Sequence, residues 1–239
     1  MTAPETTPRF FAVVPAAGVG KRMGSDMPKQ YLPLLGKTVI EHTISTLLAE
    51  PLFERIIITT SAEDVRWRSL DLLNDARIDV VDGGAERCHS VLNGLKHLAS
   101  IADKHDWVLV HDVARPCIAA SDIQRLITEI SNHPVGGILA VPVSDTVKQV
   151  DGKAIAGTID RSLLWRAQTP QMFRYHLLLE SLTAAIEQRL SITDEASAIE
   201  LAGYQAEVVE AMSINIKITR PEDLALAEYY LKKESGSCV

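Results

Sequence analysis

Residues 10–24 read FFAVVPAAGVGKRMG. The first five form an apolar run stopped by Pro15, the pattern of a strand buried on both faces. Small residues follow at once: Ala16, Ala17, Gly18 and Gly20. Without bulky side chains the backbone can approach a ligand closely, and its amides can cradle phosphate oxygens. In open α/β sheets, ligands sit beyond the carboxyl ends of the strands, where this loop would lie. The loop does not fit the P-loop pattern GxxxxGK[ST]. Nor does it fit the dinucleotide fingerprint, because its glycines fall at 18, 20 and 24, and Glu41 lies inside a predicted helix rather than at the end of a second strand. Lys21, Arg22 and Lys29 put positive charge at the loop's mouth, which suits a triphosphate. A plain glycine-rich turn with solvated basic residues is the competing reading.

Working outward, strands alternate with helices. Thr38 followed by Glu41 predicts a capping box for a helix over 39–48. Residues 55–60 (RIIITT) predict a second strand, and Ser61 a cap for a helix over 62–73. A third strand over 78–81 runs into Gly83-Gly84 and a helix over 86–101. A fourth strand covers 107–111, a helix opens at Ser121, and a fifth strand covers 137–143. Apolar strands separated by helices mean a mostly parallel sheet covered on both sides. Residues 144–160 break the rhythm, with two short strand-like runs around Asp151-Gly152, a strong hairpin signal. That hairpin has few large apolar residues, and a lone two-stranded hairpin is marginal in water. The pattern is as compatible with packing on a second subunit as with lying on its own domain. Helices over 175–188 and 194–202, the latter stopped by Gly203, strands over 206–209 and 214–218, and a helix opening at Thr219-Arg220-Pro221-Glu222 complete the chain.

The chain has 239 residues, 46% hydrophobic and 23% charged, so it can bury a sizeable core and is not a disordered chain. One domain, residues 1–239 with an arm at about 144–160, accounts for the length. Lys plus Arg is 24 and Asp plus Glu is 31, a net charge of −7, which argues against non-specific nucleic-acid binding. The three cysteines have no CxxC spacing, no apolar run reaches membrane-spanning length, and the first residues lack a signal pattern. These features read as a soluble, reduced, cytoplasmic protein.

Further segments carry candidate chemistry. His111-Asp112-Val-Ala-Arg115-Pro116 follows strand four, where a carboxylate is a natural Mg²⁺ ligand and an arginine can pair an anion. Asp112 as a simple turn cap is the alternative, and His111 reads as a structural histidine. Residues 82–87 (DGGAER), with Ser90 one turn into the helix, offer amides and a hydroxyl to a base edge. Lys217, between Ile216 and Ile218, either faces solvent or adds a cation to the same cleft. Thr146, Arg161 and Thr193-Asp194-Glu195 either bind a second anionic substrate or serve as hairpin and cap residues. The remaining histidines show no metal spacing.

PAAGVGKRM, PKQY at 28–31, HDVARP, TDEAS and NIKITRPEDL, in this order, resemble the 2-C-methyl-D-erythritol 4-phosphate cytidylyltransferases over residues 10–231. The first motif alone marks only the wider sugar-phosphate nucleotidyltransferases. The resemblance implies a mostly parallel, Rossmann-like α/β nucleotidyltransferase sheet with helices on both faces and a projecting β-hairpin arm, paired into a homodimer through the arms. It implies Arg22, Lys29 and Lys217 as catalytic cations and Asp112 as the Mg²⁺ ligand. Ala16, Ala17, Gly18, Gly84, Ala85 and Ser90 would surround CTP. Thr146, Arg161 and Thr193 would meet the polyol phosphate with Arg115 nearby, some of them from the partner's arm. A ribitol 5-phosphate cytidylyltransferase, or a non-catalytic sugar-nucleotide-binding module, are the other readings.

Overall fold

The β-branched and aromatic runs form the sheet, and the capped periodic stretches form the helices. The computed structural model describes residues 7–18 and 27–234. In chain order its elements are β1 (Phe10–Pro15), β2 (Pro33–Leu34), β3 (Lys37–Thr38), α1 (Val39–Ala49), β4 (Phe53–Thr60), β5 (Ile78–Asp82) and α2 (Arg87–Leu98). There follow β6 (Trp107–Val110), α3 (Ala120–Ile130), β7 (Gly136–Pro142), β8 (Val147–Asp151), β9 (Ala154–Ile159) and β10 (Trp165–Arg174). Last come α4 (Tyr175–Glu187), α5 (Glu195–Leu201), β11 (Glu207–Glu210) and α6 (Pro221–Glu234). Seven of the described strands make one sheet, in the order β11-β7-β10-β6-β1-β4-β5. All its neighbours are parallel except β10, which runs antiparallel to both β6 and β7. The fold is thus the expected mixed α/β sheet, mostly parallel.

Alternation along β1 builds two cores. Ala12 and Val14 face a layer with Ile40, Ile44 and Leu47 of α1 and Leu126 and Ile130 of α3. Phe11 and Val13 face Val91 and Leu95 of α2, Leu178 and Leu182 of α4 and Ile199 of α5. Because side chains alternate with period two, a strand apolar at every position must be covered on both faces. The chain leaves β1 for β4 on one side and later enters β6 on the other. The carboxyl end of β1 is therefore a point where the winding reverses, the place where open sheets hold ligands.

Four expectations need correction. The helix expected over 62–73 is instead two short 3₁₀ turns, Arg66–Ser69 and Asp71–Asn74. Asp64 accepts from the Arg66 amide and Ser69 donates to the Arg66 carbonyl, local bonds that compete with an α-helix. The strand expected over 214–218 has no ladder. It is an irregular segment that opens in a turn, with Ile216 N donating to the Ile214 carbonyl at 2.7 Å, and is tied by the Ile218 amide to the Ala114 carbonyl at 2.8 Å. The strand β10 was not foreseen, because its polar, proline-containing sequence reads as a connection. Pro170, which has no N–H, sits in the register break between Ala167 and Gln171 and follows a cis Thr169–Pro170 bond. Finally, Asp223 rather than Glu222 completes the cap of α6, accepting from the amides of Thr219 and Arg220 at 2.8 Å each. The expected box at Thr38 and Glu41 is present.

The hairpin is also present. Among the described residues, strands β8 and β9 pair only with each other, with Gly152 at φ +58° in the turn. Val150, Ile155 and Leu163 in and beside it are 58%, 68% and 81% exposed. No helix among the described residues is long and apolar enough to cross a membrane.

Candidate functional site

Asp112 sits two residues past β6, almost fully buried, and collects three cations, two of them from distant stretches of the chain. Arg87, the first residue of α2, donates from Nε to Asp112 Oδ1 at 2.7 Å. Lys217, on the irregular segment before α6, places Nζ 2.7 Å from Asp112 Oδ2. Arg115 Nε stands 3.6 Å from the same oxygen. Burial alone would raise the Asp112 pKa. Arg87, Lys217 and Arg115 more than reverse that and hold the carboxylate ionised, well below the ordinary range. Arg115 Nη1 donates to the Asn215 carbonyl at 2.7 Å, which draws the segment carrying Lys217 toward the β6 loop. Its Nε is buried without a hydrogen bond, facing Asp112 as an ion pair only.

A second carboxylate completes the cluster. Glu195, the first residue of α5 and fully buried, accepts from Arg87 Nη1 and Nη2 at 2.6 and 2.9 Å. Burial opposes the charge on Arg87, and Glu195 and Asp112 more than restore it, so its pKa is raised. Glu195 follows Asp194, the α5 cap, which accepts from Ser197 N at 2.9 Å and from Gln171 Nε2 at 2.8 Å. Gln171 Oε1 in turn accepts from Ala196 N at 2.9 Å. The break in β10 thereby fixes the start of α5 beside the cluster. Arg87, Asp112, Arg115, Gln171, Asp194 and Lys217, with Thr193, line a cleft of about 190 Å³, and Glu195 is buried behind them. That is smaller than the ~300–1,000 Å³ of pockets that bury whole small molecules, and it suits phosphate groups.

His111 is structural, as expected. Burial pushes its pKa down to about 4, with only partial relief from Asp112, so the ring is neutral at pH 7. Its Nε2 faces the Arg115 carbonyl at 3.2 Å, which can only accept. Nε2 therefore carries the proton, and Nδ1 accepts from Thr169 Oγ1 at 3.1 Å. The Thr169 oxygen accepts from the Asp112 amide at 3.0 Å. This chain holds the backbone of Asp112 in place.

Lys29 lies beside this cluster. Its Nζ donates to the carbonyl of Ile218, the residue after Lys217, at 3.0 Å. Gln30 Nε2 donates to the Ala16 carbonyl at 2.7 Å, tying the same turn to the end of β1. Arg22 lies outside the described residues. The expected nucleotide loops meet: a Cβ added at Gly83 would stand 2.7 Å from Ala17 Cβ and 2.9 Å from Ser90 Oγ, so only glycine allows this approach. Gly84 N donates to Ser90 Oγ at 3.0 Å, and Ser90 donates to the Glu86 carbonyl at 3.2 Å. Ser90 is buried and bonded within the loop at both ends of the turn between Gly84 and Glu86. Ala17, Gly84 and Ala85 are at least partly open, Gly18 is exposed, and Ala16 is buried.

Thr193 lines the cleft, whereas Thr146 and Arg161 do not. Both are exposed, and Arg161 Nη1 donates to the Ser144 carbonyl. Arg87, Glu195 and Gln171 were missed as a unit. Arg87 and Glu195 stand inside recognised motifs, yet no spacing rule pairs residues 108 positions apart. The donor set suits Mg²⁺, which takes one or two carboxylates and completes its shell with phosphate oxygens and water. Asp112, which the sequence puts forward for that role, lines the cleft with its two oxygens held by Arg87 and Lys217, and Asp194 lines it as the α5 cap. Glu86, Cys88 and His89 form a separate group with ligand atoms within 4.8 Å of one another. Its thiol and imidazole suit softer metals than Mg²⁺.

A profile of the 2-C-methyl-D-erythritol 4-phosphate cytidylyltransferases matches residues 10–233. The protein of that name from Aliivibrio fischeri (strain ATCC 700601 / ES114) is 53% identical over 230 residues, 95% of this chain and 96% of that one. The one from Vibrio cholerae is 52% identical over 223 residues, 93% of this chain and 96% of that one. The crystal structure of the Francisella tularensis 2-C-methyl-D-erythritol 4-phosphate cytidylyltransferase superposes with a TM-score of 0.81 at 37% identity, covering 93% of this chain and 99% of that chain.

Proposed function

The chain belongs to the 2-C-methyl-D-erythritol 4-phosphate cytidylyltransferase family, and from that membership we propose how its cleft performs the transfer. The reaction moves CMP from CTP to 2-C-methyl-D-erythritol 4-phosphate in isoprenoid biosynthesis. A phosphate oxygen of the acceptor bonds to the α-phosphorus of CTP. The bond from the α-phosphorus to the bridging oxygen breaks, and pyrophosphate leaves, giving 4-diphosphocytidyl-2-C-methyl-D-erythritol. The acceptor phosphate is already an anion, so no general base is required. The obstacle is bringing two anions together while charge moves to the leaving group.

The observation that carries this reading is the gathering of Arg87, Arg115 and Lys217 around one ionised carboxylate, with Lys29 bonded to the carbonyl of the residue after Lys217. Preorganised cations aimed at developing charge supply most of what such a reaction needs. Lys29 and Arg22 stabilise the charge on the transferring and leaving phosphates. Lys217 and Arg115 take phosphate oxygens, and Thr193 faces the acceptor. Ala16, Ala17, Gly18, Gly84 and Ala85 frame the nucleotide, and Ser90 shapes that frame from behind. Asp112 would hold Mg²⁺, which when bound neutralises phosphate charge that the side chains alone leave uncovered.

The arm at residues 144–160 completes the acceptor site of a second copy, contributing Thr146 and Arg161. Two features support this: both residues stand outside the cleft of their own chain, and the apolar side chains of the hairpin are uncovered. The enzyme works as a homodimer in the cytoplasm.

A pyrophosphate-release screen tests the reading: CTP, UTP and ATP against 2-C-methyl-D-erythritol 4-phosphate, ribitol 5-phosphate and other polyol phosphates, with and without Mg²⁺. Release only with CTP, the methylerythritol phosphate and Mg²⁺ is expected. Faster release with ribitol 5-phosphate would overturn the acceptor, and undiminished release without divalent ions would overturn the metal.

A further inference from the structure

Asp112 has both oxygens taken: Oδ1 by Arg87 Nε and Oδ2 by Lys217 Nζ, each at 2.7 Å. A divalent cation that uses this carboxylate needs one of them released. The two cations are held very differently on their far sides. Arg87 turns its remaining donors into a fork on Glu195, at 2.6 and 2.9 Å. Glu195 is fully buried and starts a helix whose cap is bonded to Gln171 of β10. If the guanidinium swung away, a buried carboxylate would be left unpaired, which is strongly unfavourable. Lys217 has Asp112 as its ion-pair partner among the described residues, from a segment outside any sheet. An ammonium on a flexible stem can change partners where a forked guanidinium cannot.

We propose that Arg87 is a positioning residue which, clamped by Glu195, keeps Asp112 Oδ1 in place while Asp112 passes Oδ2 from Lys217 to a divalent cation. The inference rests on reading Asp112 as the metal carboxylate of a cytidylyltransferase. In this arrangement Lys217 is released toward the phosphates in the same event that admits the metal. Arg87 also spans the loop after β5 and the start of α5. The nucleotide side and the acceptor side are thus braced against one carboxylate.

The test is Mn²⁺ binding to the full-length protein, followed by electron paramagnetic resonance without nucleotide. Glu195→Gln and Arg87→Lys each lower Mn²⁺ affinity by about 10- to 100-fold, the usual effect of removing a group that orients a ligand. Lys217→Met, which removes the nearer of the two cations at Oδ2 and leaves Arg115 Nε at 3.6 Å, raises the affinity. A purely structural role would not produce opposite signs. In steady-state assays Arg87→Lys lowers kcat by about 10²-fold, as a misplaced reacting group does, with the KM for CTP little changed. Wild-type Mn²⁺ affinity in both Glu195→Gln and Arg87→Lys overturns the proposal, as does weaker binding by Lys217→Met or a wild-type protein that does not bind Mn²⁺. Should the two clamp variants fail to fold, Lys217→Met still decides by its sign. Pyrophosphate release from CTP by the same wild-type preparation reports separately on the reaction itself.

Discussion

The cleft around Asp112 and the arm over residues 144–160 are opposite kinds of structure. In and behind the cleft, two buried carboxylates are matched by cations from the β5, β6 and C-terminal segments, and their oxygens are paired within one chain. In the arm, a two-stranded ribbon pairs, among the described residues, only with itself, and its apolar side chains face outward. The first is complete because an unpaired buried charge is intolerable, so folding must bring its partners together. The second has no core that its own chain supplies. One chain therefore assembles the charged cluster alone, and the arm is the part for which we propose a second copy.

The largest effect expected on the cleft side is from Lys29→Ala. It should cut turnover at saturating substrates by about 10²- to 10³-fold, as loss of one preorganised donor does. Arg22→Ala should do the same. Pyrophosphate release near the wild-type rate in either variant would remove that cation from the chemistry and weaken the contrast at its root.

Next is the backbone support of Asp112. His111 stays neutral in the fold down to about pH 4, whereas an unfolded histidine takes a proton near pH 6.5. Its contribution is thus fully present above pH 6.5 and is lost as the pH falls toward 4. The loss is of the order of 3 kcal/mol. Urea unfolding at pH 7 and pH 5 should show the fall in the wild type and a shallower one in His111→Gln. Parallel profiles for the two proteins would mean that the ring does not couple folding to pH.

On the arm side, Arg161→Ala should raise the KM for the polyol phosphate by about 10- to 100-fold, the scale of one hydrogen bond to a charged group. A change confined to the CTP parameters would place Arg161 with the nucleotide and erase the division between the two regions. The smallest effect concerns stability. Ile155→Glu with Leu163→Glu should dissociate the dimer in sedimentation velocity while leaving the unfolding temperature of the isolated chain within a few degrees, because substitutions at exposed positions rarely move stability by more than about 0.5 kcal/mol. An unchanged dimer would show that the subunits pair elsewhere.

How far the sequence could be read follows from the range of each signal. Strands β1 and β4, the box at Thr38 and Glu41, and the turn at Gly152 were legible, because each depends on neighbours within a few residues. The 3₁₀ turns over 66–74 went unread because local side-chain bonds from Asp64 and Ser69 outweighed a modest helical period. Strand β10 went unread because its pairing is decided by β6 and β7, not by its own composition. Asp112 and Lys217 were legible as candidates through the motifs around them. Arg87 was not, since an arginine after a Gly-Gly turn looks like any solvated helix start.

By itself the sequence determined the alternation of strands and helices, the loop of small residues after the first strand, and the supply of cations. These are properties of composition and spacing along the chain. Only the tertiary structure decided which charge meets which: Arg87 with Glu195 across 108 positions, Lys217 with Asp112, and Lys29 with the carbonyl of Ile218 across 189. Electrostatic pairing depends on distance in space and on the exclusion of water, and neither exists until the sheet has wound and its two faces are covered.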